Sequence, residues 1–209
     1  RHVEGELLIQ PRVLRFTPGQ RQRTWEKNCI AVGLSSGFIE PLESTSIHLI
    51  QRAAIRLLQM FPAGGIQSCD IEEFNRQTQK DLEHIRDFII LHYHLNAREG
   101  SALWTHCREM VAPASLRHRL ELFAQTGRVF RPENELFAEN SWIQVMLGQG
   151  LLPRAWHPVA DLMGEAELQQ FLDGIHEQVA HTVQSLPAHE AYVQRFCAAA
   201  RARAAQAMA

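Results

Sequence analysis

Residues 40–50, EPLESTSIHLI, place two carboxylates, a proline and three hydroxyls directly ahead of an apolar helical run. Two chemistries suit that pattern. In the simpler one, Ser44, Thr45 or Ser46 caps a helix beginning near Ile47, Glu43 lies favourably at its positive end, and Pro41 stiffens the approach. In the other, the backbone N–H groups at Thr45 and Ser46 have no intrahelical partners and hold an anion, of which a halide is the simplest. Glu43 would then be a working carboxylate beside that anion, able to act as a general base if the site is closed to water.

The elements that must position this stretch can be read on both sides of it. Residues 28–34, NCIAVGL, form a short apolar run of the kind found in a buried strand. It feeds Gly33–Leu34–Ser35–Ser36–Gly37, whose two glycines permit tight turns and close approach of a ligand to the backbone. Further upstream, Pro18–Gly19 suits the centre of a type II turn and predicts a hairpin of residues 12–16 with 21–25.

Everything downstream reads as helix. Ile47, Ile50, Ala54, Leu57 and Phe61 recur at helical spacing, with His48, Arg52, Arg56 and Gln59 on the other face. Pro62 and Gly64–Gly65 end that helix. A long helix is expected from Asp70, with Asp70 and Glu73 in capping-box positions and Ile71, Phe74, Thr78, Leu82, Ile85 and Ile89 in its stripe. It ends in FIILHYHL, where His92, Tyr93 and His94 read as satisfied polar groups in a buried stretch. Shorter helices follow at 101–110, at 114–125 up to Gly127, and at 139–147. Another carries Leu168, Phe171, Leu172, Ile175, Val179 and Val183, and an alanine-rich one covers 188–207. The expected fold class is therefore mostly α with a small N-terminal β element.

Composition narrows the function classes. The 209 residues are 45% hydrophobic and 21% charged with a net charge of −2, which gives no bulk attraction to nucleic acid or to an anionic membrane. No apolar run approaches the roughly 20 residues needed to span a bilayer. Cys29, Cys69, Cys107 and Cys197 are scattered and read as free thiols of a reducing compartment, the cytoplasm. The histidines show no zinc-type spacing, so no metal site is expected. A start at Arg1, running at once into a strand-like stretch, reads as a piece of a longer protein.

WEKNCIAVG at 25–33, continuing into LSSGFIEPLESTSIHLI, resembles the flavin-dependent tryptophan halogenase family, as do RDFIILHYHL at 86–95 and NSWIQVMLGQGLLP at 140–153. The resemblance covers most of the chain and is weakest over the last 40 or so residues. It implies the C-terminal helical part of a two-domain, FAD-dependent monooxygenase-like α/β fold. Residues 1–46 would be the remnant of the flavin domain and 47–209 the substrate-side helical domain. In such enzymes reduced FAD and oxygen convert chloride or bromide to hypohalous acid, and an essential lysine delivers the halogen to an electron-rich, indole-type ring. A flavin reductase supplies the electrons, and the setting is bacterial and cytoplasmic.

Carried over by position, Glu43 matches the active-site glutamate and Ser44 the neighbouring relay serine. Thr45 and Ser46 match the halide donors, Gly33, Gly37 and Pro41 the cofactor side, and Phe137 and Trp142 the substrate side. The sequence departs from the family pattern in three ways. The G-x-G-x-x-G and W-x-W-x-I-P motifs and the essential lysine are not in this chain, and neither Lys27 nor Lys80 takes that lysine's role. Ser46 stands where tryptophan-specific members carry glycine. Ala138 stands at a position that is usually aromatic, which points away from free tryptophan and toward another indole or a phenol. Alone, the chain is expected to be inactive and to self-associate, as a homodimer or an aggregate, through its bared interdomain face. Two other readings are a flavin monooxygenase relative that does not halogenate and a non-catalytic helical binding domain.

Overall fold

The computed structural model describes residues 9–132 and 134–197. It divides into two compact units, one ending at Trp156 and the other beginning at His157. The described residues are mostly helical, with four very short strands among residues 19–38.

In the first unit, β1 (Gly19–Gln20) pairs with β4 (Gly37–Phe38), and β2 (Trp25–Glu26) pairs with β3 (Cys29–Ile30), both antiparallel. The expected hairpin of 12–16 with 21–25 does not form. Residues 19–21 pair with 36–38 instead, and Thr24 and Trp25 are held by Asn75, some fifty residues away on α2 (Ser68–His94). Its Oδ1 accepts from the backbone N–H groups of Thr24 (2.8 Å) and Trp25 (2.9 Å), and its Nδ2 donates to the Trp25 carbonyl (2.9 Å). One side-chain amide thus takes the place of a neighbouring strand. Trp25 is buried beneath it, edge-to-face with Phe74 at 5.4 Å. The run NCIAVGL is a strand only at Cys29–Ile30, after which Gly33–Ser35 make a single 3₁₀ turn.

The long helix begins at Ser68, earlier than its expected start at Asp70, so Asp70 lies inside the first turn and Glu73 is not a capping partner. Glu73 instead pairs with Arg76 and accepts from Gln77 (2.7 Å). The Arg76 hydrogen bond, with those of Gln77 and Lys80's charge behind it, holds the Glu73 carboxyl near 2. The core forms where the C-terminal half of α2 meets α4 (Ala114–Thr126) and α5 (Glu139–Gly148). Phe88, Leu91, Leu116, Phe123, Trp142 and Met146 make up most of it. α3 (Ala102–Glu109) lies along α2.

Gly127 ends α4 in the left-handed conformation with φ +68°, and a Cβ there would fall 2.9 Å from the Ala155 carbonyl oxygen. Gly127→Ala therefore combines an unfavourable backbone geometry with a clash. It should lower the unfolding free energy by about 2 kcal/mol, measurable by denaturant titration. A loss within 0.5 kcal/mol, roughly the scatter of neutral surface changes, would show that the loop yields freely.

The first helix, α1 (Ser46–Gln59), is turned over relative to the expectation from its apolar stripe. Its polar face packs on α2, with Arg56 only 3% exposed, while Ile47 is 78% exposed and Phe61, just beyond the helix, 66%. The inversion is held by hydrogen bonds. Arg56 Nε donates to Gln77 Oε1 (3.0 Å), Nη1 to Thr78 Oγ1 (2.8 Å) and Nη2 to Asp81 Oδ2 (2.6 Å). Burying a guanidinium is tolerable only when its donors are matched in this way.

The second unit contains a 3₁₀ segment (Pro158–Leu162), α6 (Glu165–Ser185) and α7 (His189–Phe196). The stripe Leu168, Phe171, Leu172, Ile175, Val179 and Val183 lies on α6 as expected and is exposed throughout. The expected extension of the last helix to 207 lies outside the described residues. Among the described residues, no helix is long and apolar enough to cross a membrane.

Candidate active site

Glu40, Pro41, Glu43 and Ser44 form one tight turn leading into α1. The Ser44 N–H donates to the Pro41 carbonyl (2.9 Å), and Ser44 itself has φ +51°, a left-handed geometry uncommon for a side chain larger than glycine. The turn bends the chain so that both glutamates face the C-terminal end of α2.

The two carboxylates have separate partners there. Tyr93 Oη lies 2.8 Å from both oxygens of Glu40. Burial, and then this hydrogen bond, push the Tyr93 phenol up to about 12, so it remains a donor through any physiological pH. Tyr93 stacks on Trp104 (5.7 Å, 17°), and the Arg98 guanidinium covers Trp104 at 4.7 Å. Glu40 is thus an anchor. Glu43 is not tied into that cluster; its Oε1 lies 3.1 Å from His92 Nε2. His92 Nδ1 in turn meets the Phe88 carbonyl at 2.8 Å, and its ring sits edge-on to Phe88 at 4.9 Å.

Thr45 is the residue ahead of α1, but its side chain makes no capping hydrogen bond and its backbone is already helical (φ −80°, ψ −7°). The hydroxyl-rich stretch therefore does not close off the helix end in the way the simpler reading expects. Thr45 and Ser46 border a cavity of about 50 Å³ together with Gly33, Leu34, Ser36 and Gly37. That space suits a monatomic ion or one water molecule, not a ring system.

The two glycines of this loop differ in kind. Gly33 has φ +66°, and a Cβ on it would meet the Ile50 side chain at 3.3 Å. A Cβ on Gly37 would lie 2.8 Å from the Gly19 carbonyl, so pairing with β1 already accounts for glycine there. Pro41 is exposed in the turn.

Of the expected substrate-side residues, Phe137 stacks on Phe88 (3.8 Å, 24°), one ring away from His92. Trp142 lies deeper, 1% exposed, against the other side of Phe88 (4.8 Å, 68°). The Arg119 guanidinium covers Trp142 at 3.8 Å and is itself gripped by buried Glu135 through two hydrogen bonds, 2.8 and 3.1 Å. Trp142 also borders a separate cavity of about 330 Å³, with His84, Asp87 and Ser115 on its wall.

Residue-level reading of the sequence missed His92 and Tyr93 as partners of the EPLES turn. The available signal was FIILHYHL, a run with histidine and tyrosine set into an otherwise apolar helix end.

The exposed apolar side of α1, the left-handed turn that carries Glu43 and the small cavity at the helix end all lie in the first unit. Comparison with known proteins gives them a family setting. A family model described as tryptophan halogenase matches residues 1–165, and the chain belongs to that family. Among solved structures, Xcc4156, a flavin-dependent halogenase from Xanthomonas campestris, is 60% identical with a TM-score of 0.90, over 94% of this chain and 40% of that one. BrvH, a flavin-dependent halogenase from Brevundimonas sp. BAL3, is 41% identical with a TM-score of 0.84, over 89% of this chain and 38% of that one. Tryptophan 6-halogenase SttH of Streptomyces toxytricini is 29% identical over 88% of this chain and 36% of its own length. The chain thus spans well under half the length of these relatives.

Proposed function

We propose that the chain is the C-terminal part of a flavin-dependent halogenase that chlorinates or brominates an electron-rich, indole-type ring, with Glu43 as its working carboxylate. The observation that carries this is the placement of Glu43: free of the Glu40 anchor, on the left-handed Ser44 turn, immediately before an uncapped helix end. Bound reduced FAD would activate oxygen, and oxygen would supply the oxidising equivalent that turns halide into an electrophile. Gly33, Gly37 and Pro41 would form one wall of its site. The cavity at the helix end, about 50 Å³, is too small for a flavin ring, so these residues would contribute only an edge of the flavin site.

The residues of this chain then divide the work. Thr45 and Ser46 offer first-turn N–H groups to chloride or bromide. Glu43 accepts the ring proton or orients the halogen donor. Ser44 links the halide side to Glu43 by holding the turn. Phe137 offers a ring face for an aromatic substrate, backed by Phe88 and Trp142. The electrons come from a flavin reductase. Identity supports a substrate other than free tryptophan. The two structures described simply as flavin-dependent halogenases are 60% and 41% identical, whereas SttH and Tar14, described as tryptophan halogenases, are 29% and 30% identical.

The deciding experiment supplies the full-length protein with FAD, a flavin reductase, bromide and a panel of indoles, and looks for brominated products by mass. Absence of any product from the wild-type protein overturns the assignment. For the 209-residue chain alone we expect no halogenation and no stoichiometric micromolar FAD complex, because the dinucleotide-cradling motif lies elsewhere. A fluorescence titration that saturates at one FAD per chain in that range contradicts this. The bared face of α1 should also make the isolated chain self-associate, visible as a mass above 23.8 kDa in light scattering.

A further inference from the structure

The geometry points to His92 as a positioning residue for Glu43 that shares its proton, so that the two side chains work as one proton-handling pair; this rests on the halogenase reading above. The argument is one of lone pairs. The Phe88 carbonyl can only accept a hydrogen bond, so His92 Nδ1, 2.8 Å from it, carries a hydrogen. In the neutral ring that leaves an unshared pair on Nε2. Nε2 faces Glu43 Oε1 at 3.1 Å, and an ionised carboxylate also presents only lone pairs. Two acceptors do not settle at that distance without a proton between them. One proton therefore bridges the pair, either as imidazolium with carboxylate or as imidazole with carboxylic acid. This is the arrangement in which a second group fixes the orientation of a base and shares its proton.

The surroundings hold the ring in this role. Phe88 meets it edge-on, and the Gln149 amide reaches the His92 carbonyl (3.4 Å). The charged and titratable neighbours are Glu40 and Tyr93, which satisfy each other. The adjacent histidine, His94, is turned toward the Cys107 carbonyl.

In the halogenation cycle the consequence is a defined path for one proton. When the halogenated ring regains aromaticity, its C–H bond breaks, the electron pair returns to the ring, and the proton passes to Glu43. The pair then holds two protons, one shared along the 3.1 Å contact with His92 Nε2 and one on the carboxyl, while Nδ1 keeps its own hydrogen. Release of one of the two to solvent restores the one-proton starting pair. No electrons leave the system in these steps, and His92 never touches the substrate.

Two measurements on the full-length protein test this. The first is kinetic, with FAD, reductase, bromide and indole. His92→Phe keeps the ring volume and removes both nitrogens. It should lower kcat at least tenfold with the KM for indole within twofold of wild type, and it should raise the solvent deuterium isotope effect on kcat. His92→Gln, which can still donate to Glu43 but cannot give up or take a proton, should recover less than half of the lost rate. An unchanged kcat in His92→Phe, or full recovery in His92→Gln, overturns the pair.

The second measurement needs no turnover. With ¹⁵N-labelled histidine, the wild-type protein should show His92 Nδ1 protonated and a downfield exchangeable proton on Nε2 that disappears in Glu43→Ala. Persistence of that signal in Glu43→Ala also overturns the pair, even if His92→Phe fails to fold. If wild-type protein makes no brominated product while the NMR signature is present, the halogenase reading fails and the proton-sharing pair stands.

Discussion

Glu43→Gln in the full-length protein should reduce brominated-indole formation by about 10²–10⁴-fold, the usual range for losing a positioned acid–base group. The substitution is nearly isosteric, and its amide can still meet His92 Nε2, so the turn at Ser44 keeps its shape. FAD affinity and thermal unfolding should therefore stay at wild-type values. What disappears is the anionic oxygen that accepts a proton or steers the halogen donor. A companion change separates the two carboxylates. Glu40→Gln still accepts from Tyr93 and should retain most activity, because Glu40 holds the turn and takes no part in the reaction. Comparable collapse in both variants would mean that the turn's integrity, and not the Glu43 charge, is what was lost. Undiminished product from Glu43→Gln removes Glu43 from the mechanism.

The second large effect is on stability. Arg56→Ala should cost about 3 kcal/mol of unfolding free energy, the low end for breaking a buried, hydrogen-bonded ion pair. The low end applies because Asp81 keeps Arg52 at 3.5 Å as a remaining counter-charge. Gln77 and Thr78 lose their partner, and the van der Waals contact over the Phe74 ring, 5.6 Å from the guanidinium carbon, goes with it. Arg56→Lys should recover only part of the loss, since one ammonium cannot reach three acceptors arranged for a planar fork. The double variant Arg56→Ala/Asp81→Ala should cost less than the sum of the singles. Denaturant unfolding of the four proteins decides it. A single-variant loss under 1 kcal/mol would mean that the packing of α1 on α2 does not depend on Arg56.

These two residues also show how much could be read without coordinates. The apolar stripe of α1 was visible in the sequence, and its helical period was right. Periodicity says which side of a helix is apolar, but not whether the surface that covers it is in the same chain. Here the polar side with Arg56 turned inward to α2, and the apolar side is left exposed among the described residues. The hairpin expectation failed for a related reason. Pro18–Gly19 is a sound local turn signal, but the backbone of Trp25 is held by Asn75, and a pairing across some fifty residues leaves no local trace.

The site was legible in part. EPLEST marked the turn, and the family resemblance assigned Glu43 its role. Two glutamates three residues apart look alike in a sequence. They are told apart only once their separate partners at the far end of α2 are seen, Tyr93 for Glu40 and His92 for Glu43. The long helix itself was legible throughout its stripe. Only its start was misplaced, by the two residues from Ser68 to Asp70, within the ordinary uncertainty of helix ends.

The attachment of the EPLES turn to two consecutive residues of α2 has a consequence for motion. Loops that carry catalytic groups commonly open by themselves, at a small fraction of the free energy needed to unfold the domain. This turn cannot swing away while α2 stays folded without giving up both the Tyr93 and the His92 contacts. The backbone at that end of α2 runs between Phe88 and Leu91, two of its best-buried side chains. Slow amide exchange at Ser44, whose N–H is bonded to the Pro41 carbonyl, should therefore track that of α2, and not that of the surrounding surface loops. The carboxylate is presented by a surface turn, yet its lifetime in place is set by the hydrophobic core.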